Sequence, residues 1–400
     1  MSSFFGVFYR QLPEPAIISC VSIAIFCVAA LISFLLAGLF TKISNQFDFL
    51  DYPTSRKSHQ KPTPFLGGAA LFVSFWATLF FFLIGAKIIS HRISIFELVQ
   101  SMFPSLFNLV PKLLGIFLGS FIMFMVGFLD DKFHWLPAQK IAGQMVAAFV
   151  LISFGFTINL VSGLGILGYV ITFIWILLII NAFNLIDSLD GHCVGVALVA
   201  SVVFFWLTQI IGQHLAGFML IAFAGVLSGF LPHNFKPARI FLGDNGILFV
   251  GYMLAAFTLL CRYQMPETSY TAVFIPVLIF SVPIYDTLSV IVTRTLRGVP
   301  FWTGDRNHFG HRLVKIGMSE RVAVVFSYFV ELTLGLIAIL TTQVNLFGAV
   351  LIGFISFCII GLVAFLEFYA AERISIAERL AIKGKRRKED IQEEEEKRFL

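Results

Sequence analysis

The chain has 400 residues, of which 58% are hydrophobic and only 13% are charged, and its mean hydropathy is +0.91. A soluble domain is closer to half apolar and a quarter charged, so this composition excludes a soluble globular protein and indicates an integral membrane protein. The formal net charge of +5 suits contact with anionic headgroups or phosphates. We therefore expect membrane lipid as a partner, and no nucleic acid.

About eleven apolar segments are long enough to cross a bilayer, since a spanning helix needs about 17–25 mainly apolar residues. β-Barrel strands would be shorter and would alternate in polarity, which these segments do not. The predicted fold class is therefore an all-α, polytopic integral membrane protein. The predicted spans are 15–40, 65–86, 113–129, 141–158, 163–183, 191–212, 215–231, 246–261, 270–292, 322–340 and 346–369.

Lysine and arginine are distributed unequally between alternate loops, and this asymmetry predicts the orientation. With the N-terminus outside, the inner loops and the C-terminal tail hold most of the basic residues. The outer loops hold only Arg10, Lys87, Arg92, Lys112 and Arg262. We predict an N-out, C-in topology with two domains: a transmembrane catalytic domain, 1–370, and a charged cytosolic tail, 371–400.

The residues able to do chemistry lie in the inner loops. The first of these loops ends in the Gly67–Gly68 pair, which opens a helix and permits close approach of another backbone. The second contains the adjacent carboxylates Asp130 and Asp131 at the end of a helix, where each disfavours ionisation of the other and both oppose the helix macrodipole. We expect a metal, Lys132 or Lys140, or a substrate phosphate to offset this charge.

The third inner loop follows a strongly apolar helix and contains Asn181, Asn184, Asp187 and Asp190. If the segment is helical, the first three share a face, with Asp190 one turn further on. A polar stripe at the end of such a helix is expensive in lipid and needs partners. A capped helix end would not explain four amide and carboxylate groups together, so we favour a functional site.

The fourth and fifth inner loops combine carboxylates with basic residues. Asp244 stands just before a predicted helix, and taken alone it is better explained as an N-cap. Lys236 and Arg239 precede it, however, and a carboxylate flanked by cations is what a metal–phosphate site would need. The fifth loop suits diphosphate binding, because arginine offers a bidentate fork and stays charged. Its basic residues are Arg306, His308, His311 and Arg312.

Taken together and in this order, the loops resemble those of the polyprenyl-phosphate N-acetylhexosamine-1-phosphate transferase family (glycosyltransferase family 4), which includes the peptidoglycan translocase. The resemblance covers roughly residues 45–320, and the predicted helix count is similar to that of the branch that uses simple N-acetylhexosamines. The joint pattern is highly specific. Its motifs are the Arg…His…Pro-x-Pro…Gly-Gly loop, Gly127–Asp131, Asn181–Gly191, Asn234–Gly246 and the late histidine loop.

The resemblance implies an enzyme, a phosphoglycosyltransferase that combines a UDP-N-acetylhexosamine, such as UDP-N-acetylglucosamine, with undecaprenyl or another polyprenyl phosphate. The products would be UMP and a polyprenyl diphosphate-sugar, which begins a cell-envelope glycan. Mg²⁺, or Mn²⁺ in its place, is the implied cofactor. The implied location is the bacterial cytoplasmic (inner) membrane, with the active site facing the cytosol, and the resemblance also allows a homodimer.

The family's motifs also imply roles for individual residues. Asp244 matches the principal metal ligand and Asn184 a second one. The positions that match catalytic residues are Asp130, Asp131, Asp187 and His308. The positions expected to contact substrate are Lys140, Asn181, Asp190, Phe241, Arg306, His311 and Arg312. The chain departs from the family pattern at Gly310, where the simple-sugar branch usually has a further histidine, so one side chain is missing from that loop.

Three alternatives remain open at this point. The donor could be another UDP-sugar, such as UDP-MurNAc-pentapeptide. A multi-pass transporter would predict ionisable residues near helix midpoints and discontinuous helices, whereas the charges considered above lie at one end of the helices. A phosphatidyltransferase of the CDP-alcohol type would need Asp-Gly followed by Ala-Arg, and Asp190-Gly191 is not followed by those residues.

Overall fold

The structure is a computed structural model that describes residues 14–53, 61–90, 106–158, 165–261, 274–300 and 307–369. Within these residues, long helices are joined by short loops. The helices are α1 (Glu14–Gln46), α2 (Gly67–Ser90), α3 (Leu106–Phe133), α4 (Pro137–Ser153), α5 (Ile166–Ile186), α6 (His192–Ile210), α7 (His214–Asn234), α8 (Gly243–Leu260), α9 (Phe274–Ile279), α10 (Ser281–Leu296), α11 (Phe309–Lys315), α12 (Glu320–Leu340) and α13 (Leu346–Tyr369). The strands β1 (Leu50–Asp51) and β2 (Thr63–Pro64) form one short antiparallel pair. The predicted tail, 371–400, lies outside the described residues.

The prediction of an all-α polytopic membrane protein is confirmed. Among the described residues, 9 helices are long and apolar enough to cross a membrane. Two of the eleven predicted spans do not give such a helix. The span 141–158 corresponds to α4, which has only 17 residues, and 270–292 falls on the pair α9 and α10. The N-out, C-in orientation stays a prediction.

The predicted span 270–292 is interrupted at Phe280, between α9 and α10. Pro283 has no N–H group, so it cannot donate the helical hydrogen bond to the carbonyl of Ile279. The N–H of Val282 donates instead to Glu331 Oε2 of α12, at 2.9 Å, and Ser281 Oγ lies 3.1 Å from the same oxygen. A buried carboxylate thus supplies the hydrogen-bond partner that water would give at an exposed helix start.

The break and the buried Glu331 correct one expectation. Glu331 lies midway along α12 and is fully buried, so the ionisable residues are not all at one end of the helices. The carboxylate faces the start of α10 through the two hydrogen bonds described above. This contact accounts for a buried carboxylate at position 331. It pairs a backbone N–H at the helix break, and an unpaired N–H is costly away from water.

The interior is centred on α7 and α8. The buried shares of their membrane-spanning stretches, 72% and 78%, are the largest among the candidate spans. Small residues permit close helix contacts, as is typical of membrane proteins. A Cβ added at Gly229 of α7 would lie 2.0 Å from the carbonyl oxygen of Ala30 in α1, and one at Gly251 of α8 would lie 2.8 Å from Cα of Ile180 in α5. These glycines therefore let α1 pack closely against α7, and α5 against α8.

This packing brings several helix ends to one place. The C-terminal ends of α3 and α5 meet the N-terminal ends of α2 and α8, and α11 joins them. The residues of these ends line a single cavity of about 940 Å³. The polar groups singled out in the sequence are therefore gathered at one end of an apolar helical body.

Candidate active site

Five aspartates that the sequence singled out line this cavity: Asp130 and Asp131 of α3, Asp187 and Asp190 after α5, and Asp244 of α8. We call these residues the aspartate cluster. Phe241 and His311, which are predicted to contact substrate, also line the cavity. Loops that are far apart in the sequence thus contribute to one water-accessible site.

Backbone hydrogen bonds hold the loop before α8 against the start of α2. The N–H groups of Gly67 and Gly68 donate to the carbonyls of Phe241 and Leu242, at 3.1 and 3.0 Å, and the N–H of Phe241 donates to Pro64 O at 2.7 Å. A Cβ at Gly68 would lie 2.0 Å from the side-chain oxygen of Asn245. The close backbone approach predicted for the glycine pair is therefore present, and it sets the position of Phe241.

Asp131 caps the N-terminus of α8 from another helix. Its carboxylate accepts the N–H of Asp244 at 2.9 Å and the N–H of Asn245 at 3.0 Å, and the Asn245 amide donates to the same carboxylate and to Phe65 O. The positive end of the α8 macrodipole stabilises this negative charge. The alternative explanation of Asp244 as a simple N-cap is wrong, because the N-cap position is Leu242 and the capping carboxylate is that of Asp131.

Lys140 joins Asp130 to Asp244. Its ammonium lies 2.6 Å from Asp130 Oδ2 and 2.9 Å from Asp244 Oδ2, and Asp130 Oδ1 accepts the N–H of Trp135 at 2.8 Å. Lys140 was one of the groups expected to offset the paired carboxylates, and it does so for Asp130. Lys132, the other lysine considered, is exposed and lies over the ring of Phe133.

Asp187 differs from its neighbours in having no hydrogen bond from any described residue. It follows the last residue of α5. Removal from water, together with the charges of Asp190 and Asp131, raises the pKa of its carboxyl to about 7. Asp190 is better satisfied, since it accepts the N–H of Ala238 at 3.1 Å and lies 3.6 Å from the Lys236 ammonium. Asp187 is therefore available to a proton, a cation or a substrate group.

The histidine loop divides into one residue at the cavity and two that lie away from it. His311 lines the cavity, whereas His308 and Arg312 do not. His308 Nδ1 lies 3.1 Å from Oδ2 of the fully buried Asp286. The predicted roles of His308 and Arg312 at the substrate therefore stay predictions, and Arg306 lies outside the described residues.

Arg312 is occupied by protein partners. Its Nε donates to both carboxylate oxygens of Glu367 in α13, each at 3.2 Å, its Nη1 donates to Asn307 O at 2.7 Å, and its Nη2 donates to Ser289 Oγ at 2.7 Å. The guanidinium also lies 5.8 Å from the ring centre of Tyr285. Arg312 therefore ties α11 to α10 and α13, and this arrangement indicates a structural role.

The two asparagines of α5 lie before the cavity. Asn181 exchanges two amide hydrogen bonds with Gln144 of α4, at 2.7 and 3.3 Å, and also donates to Leu177 O. Asn184 stands one helical turn before Asp187 and is partly buried. Neither lines the cavity, so their predicted roles in substrate and metal binding stay predictions.

Several residues of the site were not predicted. Asn245 has a fully buried amide beside Asp131, Glu320 pairs with Lys236 at 2.7 Å, and the exposed His134 lines the cavity. Of these three residues, only Asn245 could have been predicted, because a polar amide follows Asp244 directly at the start of an apolar segment. Glu320 and His134 follow from the folded geometry alone.

The donor groups of the cavity fit a hard divalent cation. In the part of the chain that the structure describes, no three His, Cys, Asp or Glu side chains form a ready-made metal centre. Mg²⁺ is usually held by one or two carboxylates, with waters and substrate phosphates completing its shell. Asp187 has no hydrogen-bond partner among the described residues, and Asp244 shares the Lys140 ammonium with Asp130, so both carboxylates are of the kind that such a cation would need.

Comparison with known proteins agrees with this geometry. The model of glycosyl transferase family 4 matches residues 113–262, which include all members of the aspartate cluster. A probable undecaprenyl-phosphate N-acetylglucosaminyl 1-phosphate transferase of Bacillus subtilis is 30% identical over 345 residues, covering 82% of this chain and 87% of that protein. The chain belongs to glycosyl transferase family 4.

Two further members of the family align over most of their length. A decaprenyl-phosphate N-acetylglucosaminephosphotransferase of Mycobacterium leprae is 28% identical over 360 residues, or 81% of this chain and 85% of that protein. An undecaprenyl-phosphate alpha-N-acetylglucosaminyl 1-phosphate transferase of Thermotoga maritima is 27% identical over 302 residues, or 75% and 84%. The predicted family is therefore confirmed.

Proposed function

We propose that this protein transfers N-acetylglucosamine-1-phosphate from UDP-N-acetylglucosamine to a polyprenyl phosphate, giving polyprenyl diphosphate-N-acetylglucosamine and UMP. The observation that carries the proposal is the aspartate cluster, which lines one cavity at the end of a membrane-spanning helical body. An enzyme joining a water-soluble donor to a lipid needs such a position. The names of the aligned relatives point to the same transferred group and the same class of acceptor lipid.

The proposed reaction exchanges one phosphoanhydride bond for another. An oxygen of the acceptor phosphate attacks the sugar-bearing phosphorus of the donor, and the bond from that phosphorus to the UMP oxygen breaks. UMP leaves with the electron pair, and the bond between the sugar and its phosphate stays intact. The acceptor phosphate is largely ionised near neutral pH, since its second pKa is about 6, so no general base is required.

The protein must bring several negative charges together for this reaction. His311 and Lys315 line the cavity and supply positively charged or hydrogen-bonding groups for the phosphates. Lys140 holds Asp130 and Asp244 side by side. The cap that Asp131 provides fixes α8, and with it Asp244, relative to α3. These contacts preorganise the site before substrate binds, which is the main source of catalysis in phosphoryl transfer.

We propose Mg²⁺ as the cofactor, with Mn²⁺ able to replace it. When bound, the cation would neutralise charge on the diphosphate and stabilise the leaving UMP. Asp244 and Asp187 would hold it, together with Asn184, the second ligand that the family resemblance implies. We further propose that the site faces the cytosol of a bacterial cytoplasmic membrane, where UDP-sugars are found.

The test is UMP release by purified protein supplied with polyprenyl phosphate and UDP-N-acetylglucosamine, with Mg²⁺, Mn²⁺ or EDTA. Asp244→Ala and Asp187→Asn should each lower turnover at least about 100-fold, the scale on which displaced phosphoryl-transfer groups act. Asp48→Asn is the matched control, because Asp48 is exposed and bonds only the Tyr52 hydroxyl among the contacts described. Full turnover by both cavity variants would contradict the proposed site.

The donor panel should also contain UDP-MurNAc-pentapeptide and other UDP-N-acetylhexosamines, because the cavity residues do not specify the sugar. The transporter alternative gains one observation, the broken helix with its buried Glu331. It predicts uptake of labelled substrate into proteoliposomes without formation of UMP. Release of UMP that depends on both substrates would exclude that alternative.

A further inference from the structure

His192 is a fully buried histidine whose two ring nitrogens have no hydrogen-bond partner among the described residues. Buried polar atoms are nearly always paired in native proteins, so each exception requires an explanation. The residue does not belong to the aspartate cluster and does not line the cavity. It lies, however, directly between two segments that do.

The position of His192 is fixed from its own side by the turn that precedes α6. His192 is the first residue of α6 and follows Gly191, whose φ of +80° belongs to the left-handed region. Its N–H donates to Leu189 O at 3.0 Å. The imidazole is therefore attached rigidly to the turn that carries Asp187 and Asp190.

The opposite contact of His192 is Gly310 of the histidine loop. A Cβ added at Gly310 would lie 3.0 Å from His192 Nδ1 and 2.8 Å from Leu189 Cδ1. Gly310 is buried, so this space is inside the protein. The imidazole of His192 thus fills the volume that a side chain at position 310 would need.

This contact joins the two walls of the cavity. His311 follows Gly310 directly and lines the cavity, as do Leu189, Asp187 and Asp190 on the other wall. A smaller residue at 192 would remove the support beneath Gly310, and a larger one at 310 would push α11 outward. The distance between His311 and the aspartates therefore depends on His192.

We propose that His192 is a positioning residue, whose imidazole replaces the side chain absent at Gly310 and holds His311 at the correct distance from Asp187 and Asp190. The proposal rests on the proposed function, since it concerns the binding of the donor diphosphate between these walls. His192 acts through α11 and the turn, so it is not itself a catalytic residue.

The test relocates the imidazole from one side of the contact to the other. His192→Ala should lose donor affinity, seen as a rise of about 10-fold or more in KM for the UDP-sugar, because a misplaced wall weakens orientation of the substrate. Gly310→His alone should be nearly inactive, because two rings would compete for one space. The double variant His192→Ala with Gly310→His should recover most of the activity, because contacting residues are not additive.

His214→Ala is the matched control, since His214 is also the first residue of a helix but bonds only Gln209 in the contacts described. Melting temperatures of all variants separate misfolding from misplacement. Unchanged KM and kcat in His192→Ala, or a double variant no better than Gly310→His, would overturn the proposal. Absence of turnover by the wild-type protein with every donor would instead contradict the proposed function.

Discussion

Gly127 of α3 is a position at which the shape of the site depends directly on a missing side chain. A Cβ there would lie 2.3 Å from Asp244 O and 2.4 Å from both N and Cα of Asn245. Carbon atoms normally pack at about 3.5 Å or more, so Gly127→Ala would separate α3 and α8 by about 1 Å. The clash is with backbone, which cannot rotate away as a side chain would.

The consequence reaches Asp131. Its hydrogen bonds to the N–H groups of Asp244 and Asn245 measure 2.9 and 3.0 Å, and a further 1 Å would place both beyond hydrogen-bonding distance. We expect Gly127→Ala to destabilise the protein by about 1–3 kcal/mol, as overpacking does, and to lower UMP release about 100-fold because Asp244 is displaced.

The assay compares Gly127→Ala with Gly38→Ala, using UMP release and thermal melting in the same detergent. Gly38 lies in α1 and has no atom within 4 Å of an added Cβ, so its substitution should be neutral or slightly stabilising. The reasoning is refuted if Gly127→Ala matches Gly38→Ala in both measurements, since α3 and α8 would then tolerate separation without loss of the site.

Three other predictions follow from the site. Arg312→Lys should lower melting temperature and turnover together, because lysine cannot replace the forked contacts with Glu367; loss of donor affinity alone would indicate a substrate contact. Burial raises the pKa of Asp187 to about 7 in the folded state, against about 3.9 when unfolded. The cost of ionising it when folded therefore destabilises the protein increasingly from pH 4 to pH 7. Asp187→Asn should have a higher melting temperature than wild type at pH 8 without Mg²⁺, but not at pH 4. His134→Cys should add labelling by a membrane-impermeant maleimide, beyond that of the exposed native cysteines Cys20, Cys27 and Cys358, only in inside-out vesicles; added labelling in right-side-out vesicles alone would contradict the cytosolic site.

The sequence predicts most of the helical body because long apolar segments have few alternatives in a membrane. It fails where a distant residue decides the structure. In the described part of the span 270–292, the helix is broken at Phe280, and the partner of the free N–H of Val282 is Glu331, 49 residues away. Similarly, the predicted span 246–261 begins too late, because α8 starts at Gly243, where the capping carboxylate comes from α3.

The same limit applies to the site. Adjacent polar groups at helix ends predicted the members of the aspartate cluster, because such groups are costly in lipid unless they have a purpose. The sequence could not reveal that Arg312 faces Glu367 of α13, 55 residues away, or that Asn181 pairs with Gln144. A residue type indicates what a side chain can bind, and only the fold decides which partner is present.

The partners of the carboxylates distinguish those that hold the structure from those left for chemistry. Asp131 accepts backbone N–H groups with both oxygens, and Asp286 accepts the N–H of Phe309 with one oxygen and faces His308 with the other. Loss of activity on replacing either would follow from movement of α8 or α11, so it would not identify a general base. Asp187 has no such partner among the described residues, and the pKa of its carboxyl is raised to about 7. Of the acids predicted to be catalytic, Asp187 is therefore the one whose environment is explained by a ligand rather than by the fold.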